Sequence, residues 1–249
     1  MNSEEGSAPR VPKGAVVAAT TSALIGAVAA HYPILAIPVA VAKDFADPVV
    51  EQMLDRIGML RQGRAQTAIR AAASEANISV SRLTSIIEES PELLTLMAQV
   101  VQAAAETPLD EKIVALGRSL GRGVSDQAAV DAEFVKVRGL SAIETFEVKL
   151  LEILGTGEPG RVTEEAAEGE QRDNLPGWKR QDIIAQHPGF EKVLDALISR
   201  LTAQGMVYDR SYQTFGGGGE RWALTPFGEE CLSLLAVVPA PDRTPQGED

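Results

Sequence analysis

The side chains able to do chemistry are few in this chain, and they lie far apart. It has one cysteine and two histidines among 249 residues. Cys231 follows Glu229-Glu230 in an apolar helical pattern, where a thiol packs as a small hydrophobe. His31 lies in an uncharged apolar run, and His187 precedes Pro188-Gly189 at a helix end; both read as structural. Gly216 to Gly219 is not followed by the Lys-Ser/Thr pair of a phosphate loop. Glu164, Glu165, Glu168 and Glu170 form a charge run in a loop rather than a placed acid and base. No nucleophile with its base and no metal-ligand spacing can be assembled from these residues. The expectation is a non-enzyme with no catalytic residue, no metal and no cofactor.

Composition supports a folded chain. A 45% hydrophobic share is enough for a core, and 249 residues allow one domain or two. A single cysteine excludes a disulfide framework. The net charge of -12 disfavours generic polyanion binding, which depends on Lys and Arg neutralising phosphates. That charge is uneven. Residues 1–43 hold Glu4 and Glu5 against Arg10, Lys13 and Lys43, so the acidity belongs to the rest of the chain. Residues 1–12 and 237–249 are polar and rich in Pro or Gly, and are expected to be disordered tails.

Residues 13–43 form an apolar small-residue segment. From Gly14 to Ala42 no residue carries a formal charge, and 29 such positions exceed the roughly 20 needed to cross a bilayer. Pro33 and Pro38 would break a continuous helix, and basic residues flank both ends, so no orientation is specified. Gly14, Ala18, Ser22 and Gly26 recur every four positions, a stripe another helix can approach closely. Two readings stay open: insertion in a membrane, or burial within the protein or a homo-oligomer interface. The location is expected to be cytoplasmic, with membrane association if 14–42 inserts.

Residues 44–140 read as a helical middle domain. Phe45, Val49, Val50, Met53, Leu54, Ile57, Leu60, Ala68 and Ile69 recur at helical spacing, with Arg56, Arg61, Arg64 and Arg70 mostly off that stripe. Ser79 is expected to cap one helix and Ser90-Pro91-Glu92 to open the next. Thr107-Pro108 repeats the device ahead of EKIVALGRSLG. Gly117, Gly121 and Gly123 then mark a fade-out into a loop, and Asp131 opens a long helical pattern through Leu154.

Residues 141–236 carry a distinct order of elements. A helix ending KLLEILG precedes an acidic loop, and Trp178 to Gln186 reads as a short helix. Phe190 to Gln204 reads as a longer helix stopped by Gly205. Two short strands around the glycine-rich tip form a hairpin, and Thr225-Pro226 caps a last helix. RLTAQGMVYD, the glycine-rich wing and ALTPFGEECLSLL resemble the LxxxGLV and LTPxGxxLL ending of MarR-like winged helices. Upstream, TPLDEKIVALGRSLGRG is similar to a segment of actinobacterial proteins of unassigned activity that join a small-residue N-terminus, a helical middle and such a domain. The fold expected is therefore mainly α: a helical bundle followed by a winged helix-turn-helix with a small β-hairpin wing.

The resemblance implies a module that contacts DNA or a protein partner. In a DNA complex the helix 190–204 would enter the major groove and 209–221 would lie near the backbone. Glu191, Lys192, Asp195, Ser199, Arg200, Thr202 and Gln204 would be its exposed positions. The contact candidates are Lys179, Arg180, Lys192, Arg200, Arg210 and Arg221. The function expected is that of a regulatory or adaptor protein that forms a homo-oligomer. The alternative is a membrane-associated sensor or effector, in stress or phage defence, anchored through 14–42.

Overall fold

A computed structural model describes residues 48–157, 177–211 and 220–236. The segment 14–42, the acidic loop 158–173 and the glycine-rich tip lie outside them. In chain order the helices are α1 (Pro48–Glu75), α2 (Val80–Glu88), α3 (Pro91–Glu106), α4 (Asp110–Ser125), α5 (Val130–Ala142) and α6 (Thr145–Gly155). They are followed by α7 (Arg180–Gln186), α8 (Leu194–Ala203), strands β1 (Val207–Asp209) and β2 (Trp222–Leu224), and α9 (Pro226–Leu235). The described chain is thus mainly helical with a small antiparallel sheet. It divides into two compact units, one of residues 1–108 with 116–133, the other of 109–115 with 134–249.

The first unit is built on α1, α2, α3 and most of α4. Ser79 accepts the Arg82 amide at 3.2 Å and Ser90 accepts the Leu93 amide at 3.3 Å, so both expected caps are present. Ahead of Ser79, the chain leaves α1 through Asn77, whose φ of 52° lets the Ile78 amide reach back to the Ala73 carbonyl. Leu83, Ile87, Leu93, Leu96 and Met97 are fully buried at the centre.

Thr107 does not start a helix. It is the extended residue that closes α3, is buried, and donates its amide to the Ala103 carbonyl. The next helix begins three residues later, at Asp110. Nor do the glycines end it, for α4 runs on through Ser125. Gly117 and Gly121 are where α4 crosses α1. A Cβ at Gly117 would collide with the Ala68 carbonyl oxygen, and one at Gly121 would lie 2.6 Å from the Ala72 carbonyl oxygen. Small faces on both helices let the axes close up, and Ala68 and Ala72 are fully buried there. The contact is fastened by Glu75, which accepts from Arg118 Nε at 2.9 Å and Arg122 Nε at 3.0 Å. Partial burial pushes the Glu75 carboxyl up, but the two guanidiniums outweigh it and hold it below the usual carboxylate range.

In the second unit the expected single helix from Asp131 is two. The break falls at Ile143-Glu144, where three carbonyls are claimed by cations from elsewhere in the chain. Lys112, 2% exposed, donates to the Ser141 carbonyl at 3.0 Å and the Ile143 carbonyl at 2.6 Å. Arg200 Nη2 donates to the Ala142 carbonyl at 3.1 Å. Positive charge at a helix C-terminus is also favoured by the macrodipole. On the far side of the break the Glu147 carboxylate accepts the Glu144 amide at 3.1 Å and opens α6.

The sheet pairs Val207 with Leu224, Tyr208 with Ala223 and Asp209 with Trp222. Trp178 is not the start of a helix. It forms an antiparallel bridge to Trp222, with amide-to-carbonyl bonds of 2.9 and 3.0 Å, and so edges the sheet on the other side. Helix α7 begins only at Arg180.

Candidate functional site

The candidate site is built on α7, α8 and the hairpin. Helix α8 is shorter than expected because Pro188–Phe190 forms a 3-10 turn ahead of it, so the regular helix starts at Leu194. Leu194, Leu197, Ile198 and Leu201 are its buried side. It stops where expected: Gly205 has a φ of +73°, and the Met206 amide bonds back to the Leu201 carbonyl at 2.9 Å. The opposite side presents Asp195, Ser199, Arg200 and Thr202, flanked by Glu191 and Lys192 before the helix and Gln204 after it, and every one of these is exposed.

The turn into α9 is equally local. Thr225 Oγ1 accepts the Gly228 amide at 3.0 Å and donates to the Gly205 carbonyl at 2.6 Å. A Cβ on Gly228 would strike the Met206 carbonyl oxygen, which accounts for a glycine three residues after the threonine. On the hairpin, Asp209 accepts from the Ser211 amide at 2.8 Å and the Arg221 amide at 3.3 Å. Its partial burial raises the carboxyl, but these bonds prevail and hold it below the usual range.

The six basic candidates do not form one free positive surface. Arg180 is paired with Asp195, and its Nη2 donates to the Glu191 carbonyl at 3.2 Å. Arg200 is paired at 2.8 Å with Glu147, a carboxylate only 2% exposed, besides holding the Ala142 carbonyl. Arg210 Nε donates to the Tyr208 hydroxyl at 2.8 Å, with the guanidinium 5.7 Å from the ring centroid. Arg221 is buried, at 5% exposure, against Gly177. Among the described residues, Lys179 and Lys192 are the candidates whose side chains make no ion pair or hydrogen bond.

Two further features were not foreseen. A stacked aromatic group joins His187 to Phe190 at 4.3 Å, with the half-exposed Phe146 edge-on to both. A cleft of about 460 Å³ is lined by Leu154, Trp178, Arg210, Trp222, Leu224 and Leu232. Phe146 lies far in sequence from His187 and Phe190, as Trp178 does from Trp222, so only the fold brings them together. Among the described residues there is no cluster of His, Cys, Asp or Glu able to hold a metal ion, and no helix is long and apolar enough to cross a membrane. No protein-family model, curated protein or solved structure matches this chain.

Proposed function

We propose that the protein is a non-enzymatic adaptor or regulator, whose C-terminal unit is a winged helix that docks a protein partner rather than reading DNA. The order α6, α7, α8, hairpin, α9 supports the winged-helix reading, as does the third segment at Trp178 edging the sheet. The choice of partner rests on one observation, the internal engagement of the cations. Arg180 and Arg200 are neutralised by Asp195 and Glu147, and Arg221 is buried. Phosphate contacts would compete with those pairs, and Glu191 lies beside Lys192 in the turn ahead of α8. A mixed-charge surface, with acids interspersed among its bases, suits a protein surface better than a duplex.

The test is fluorescence anisotropy with random and genomic duplexes at low and raised salt. The expected result is no association that weakens steeply with salt. DNA binding through several phosphates would lose about a thousandfold or more in affinity between 50 and 200 mM salt. Such a slope, abolished by Lys179→Ala with Lys192→Ala, overturns the reading. A photo-cross-linker at Ser199 in cells is expected to recover protein, not nucleic acid. The competing reading, a membrane-anchored sensor or effector, predicts that the full chain pellets with membranes through a salt wash.

A further inference from the structure

Helix α1 carries an apolar face that changes from covered to uncovered along its length. Met53, Ile57 and Leu60 lie on one stripe, with Leu54 at its edge, and the same stripe runs on through Arg64 to Ala68, Ala71 and Ala72. The alanines are buried. The first part is not: Met53 is 61% exposed, Leu54 39%, Ile57 46% and Leu60 53%. The reason is length. Helix α1 has 28 residues and α3 has 16, a difference of about 18 Å at 1.5 Å per residue. Arg64 Nη1 donates to the Ala105 carbonyl at 3.4 Å, so α3 ends beside Arg64 and the stripe continues past it.

We propose that this stripe is the docking face for the chain's own residues 14–42. Three observations select that occupant. The stretch carries no formal charge over 29 positions, so it can cover Met53, Ile57 and Leu60 without burying an unpaired ion. Only the five residues 43–47 separate it from α1, so its docking is intramolecular at an effective concentration in the millimolar range. A second copy is disfavoured by area. Four partly exposed side chains fall well short of the roughly 800 Å² per partner that stable complexes bury.

The test is site-specific photo-cross-linking of the full chain with p-benzoylphenylalanine in place of Ile57 or, separately, Leu60. Equal amounts of light and ¹⁵N-labelled protein are mixed, with and without anionic phospholipid vesicles. The expected adducts join the probe to peptides within 14–42 of the same isotopic label. Mixed-label adducts would assign the face to a second copy, lipid adducts to a membrane, and absence of adducts from 14–42 would leave the segment elsewhere; each overturns the proposal. Methionine oxidation by peroxide gives a second readout. Met53 is expected to oxidise several-fold more slowly than Met59, which is 67% exposed and off the stripe. Deleting residues 1–43 should bring the two rates together, while the fully buried Met97 stays slow. Equal rates at Met53 and Met59 in the full chain would also overturn it.

Discussion

Replacing Gly117 by alanine sets two well-measured tendencies against each other. In an open helix the change is favourable by about 0.5–1 kcal/mol, because glycine loses more backbone entropy on folding. At Gly117 the new methyl would meet the Ala68 carbonyl oxygen and lie 2.8 Å from the Ala71 Cβ. Carbon atoms pack at about 3.5–4.0 Å, so α1 and α4 must separate by roughly 1 Å. Overpacking of this kind costs about 1–3 kcal/mol, and here the obstacle is backbone, which cannot swing aside. The net expectation is destabilisation by up to about 2.5 kcal/mol. At about 2–4 °C per kcal/mol, that is a fall of a few degrees in the melting temperature. Gly63 is the control. It lies in α1 with nothing within 4 Å of where a Cβ would be, so Gly63→Ala should raise the melting point slightly. Thermal unfolding followed by far-UV circular dichroism compares the two. If Gly117→Ala melts above the wild type, the close α1–α4 crossing is refuted.

Two further outcomes follow from the ion pairs and buried bonds. Lys112→Met removes the donor to the Ser141 and Ile143 carbonyls. Leaving such groups unpaired costs about 1–3 kcal/mol each, so a loss of about 2 kcal/mol or more is expected in urea unfolding; an unchanged midpoint would show that the lysine does not hold the α5–α6 break. Glu75 has a depressed carboxyl pKa, so it contributes stability above the ordinary glutamate value of about 4.3, and that contribution fades as pH falls through the folded value. The stability gap between wild type and Glu75→Gln should therefore be widest at neutral pH and close in acid. A gap that is constant from pH 7 to pH 3 would mean that the carboxylate charge is not what Arg118 and Arg122 hold.

What could be read from the sequence was what is settled within four or five residues. Ser79, Ser90 and Thr225 bond to amides three positions on, and Gly205 turns the chain immediately after α8. Each is a local event with a local signature. What was misread depended on a partner distant in sequence. Gly117 and Gly121 look like helix breakers until Ala68 and Ala72 are set against them. The pattern from Asp131 to Leu154 is periodic throughout, and only Lys112 and Arg200, arriving from other elements, show why it breaks at Ile143. Trp178 has no strand-like neighbourhood, and its place at the sheet edge is decided by Trp222.

The same distinction bears on the conflict between an acidic chain and a sequence resemblance that implies contact with nucleic acid. Counted along the sequence, Arg180, Arg200, Arg210 and Arg221 look like a supply of positive charge for the C-terminal unit. In the fold, two of them neutralise Asp195 and Glu147, and Arg200 also closes the end of α5. Arg210 is bound to the Tyr208 hydroxyl, and Arg221 is interior. These arginines hold the unit's elements together, so their number does not measure its potential toward a phosphate. Releasing Arg200 would leave Glu147, 2% exposed, without its cation, and uncompensated buried charge is expensive. A ligand that binds without disturbing that pair therefore has the advantage, which is why the proposed function favours a protein surface matched to Glu191, Lys192 and Ser199.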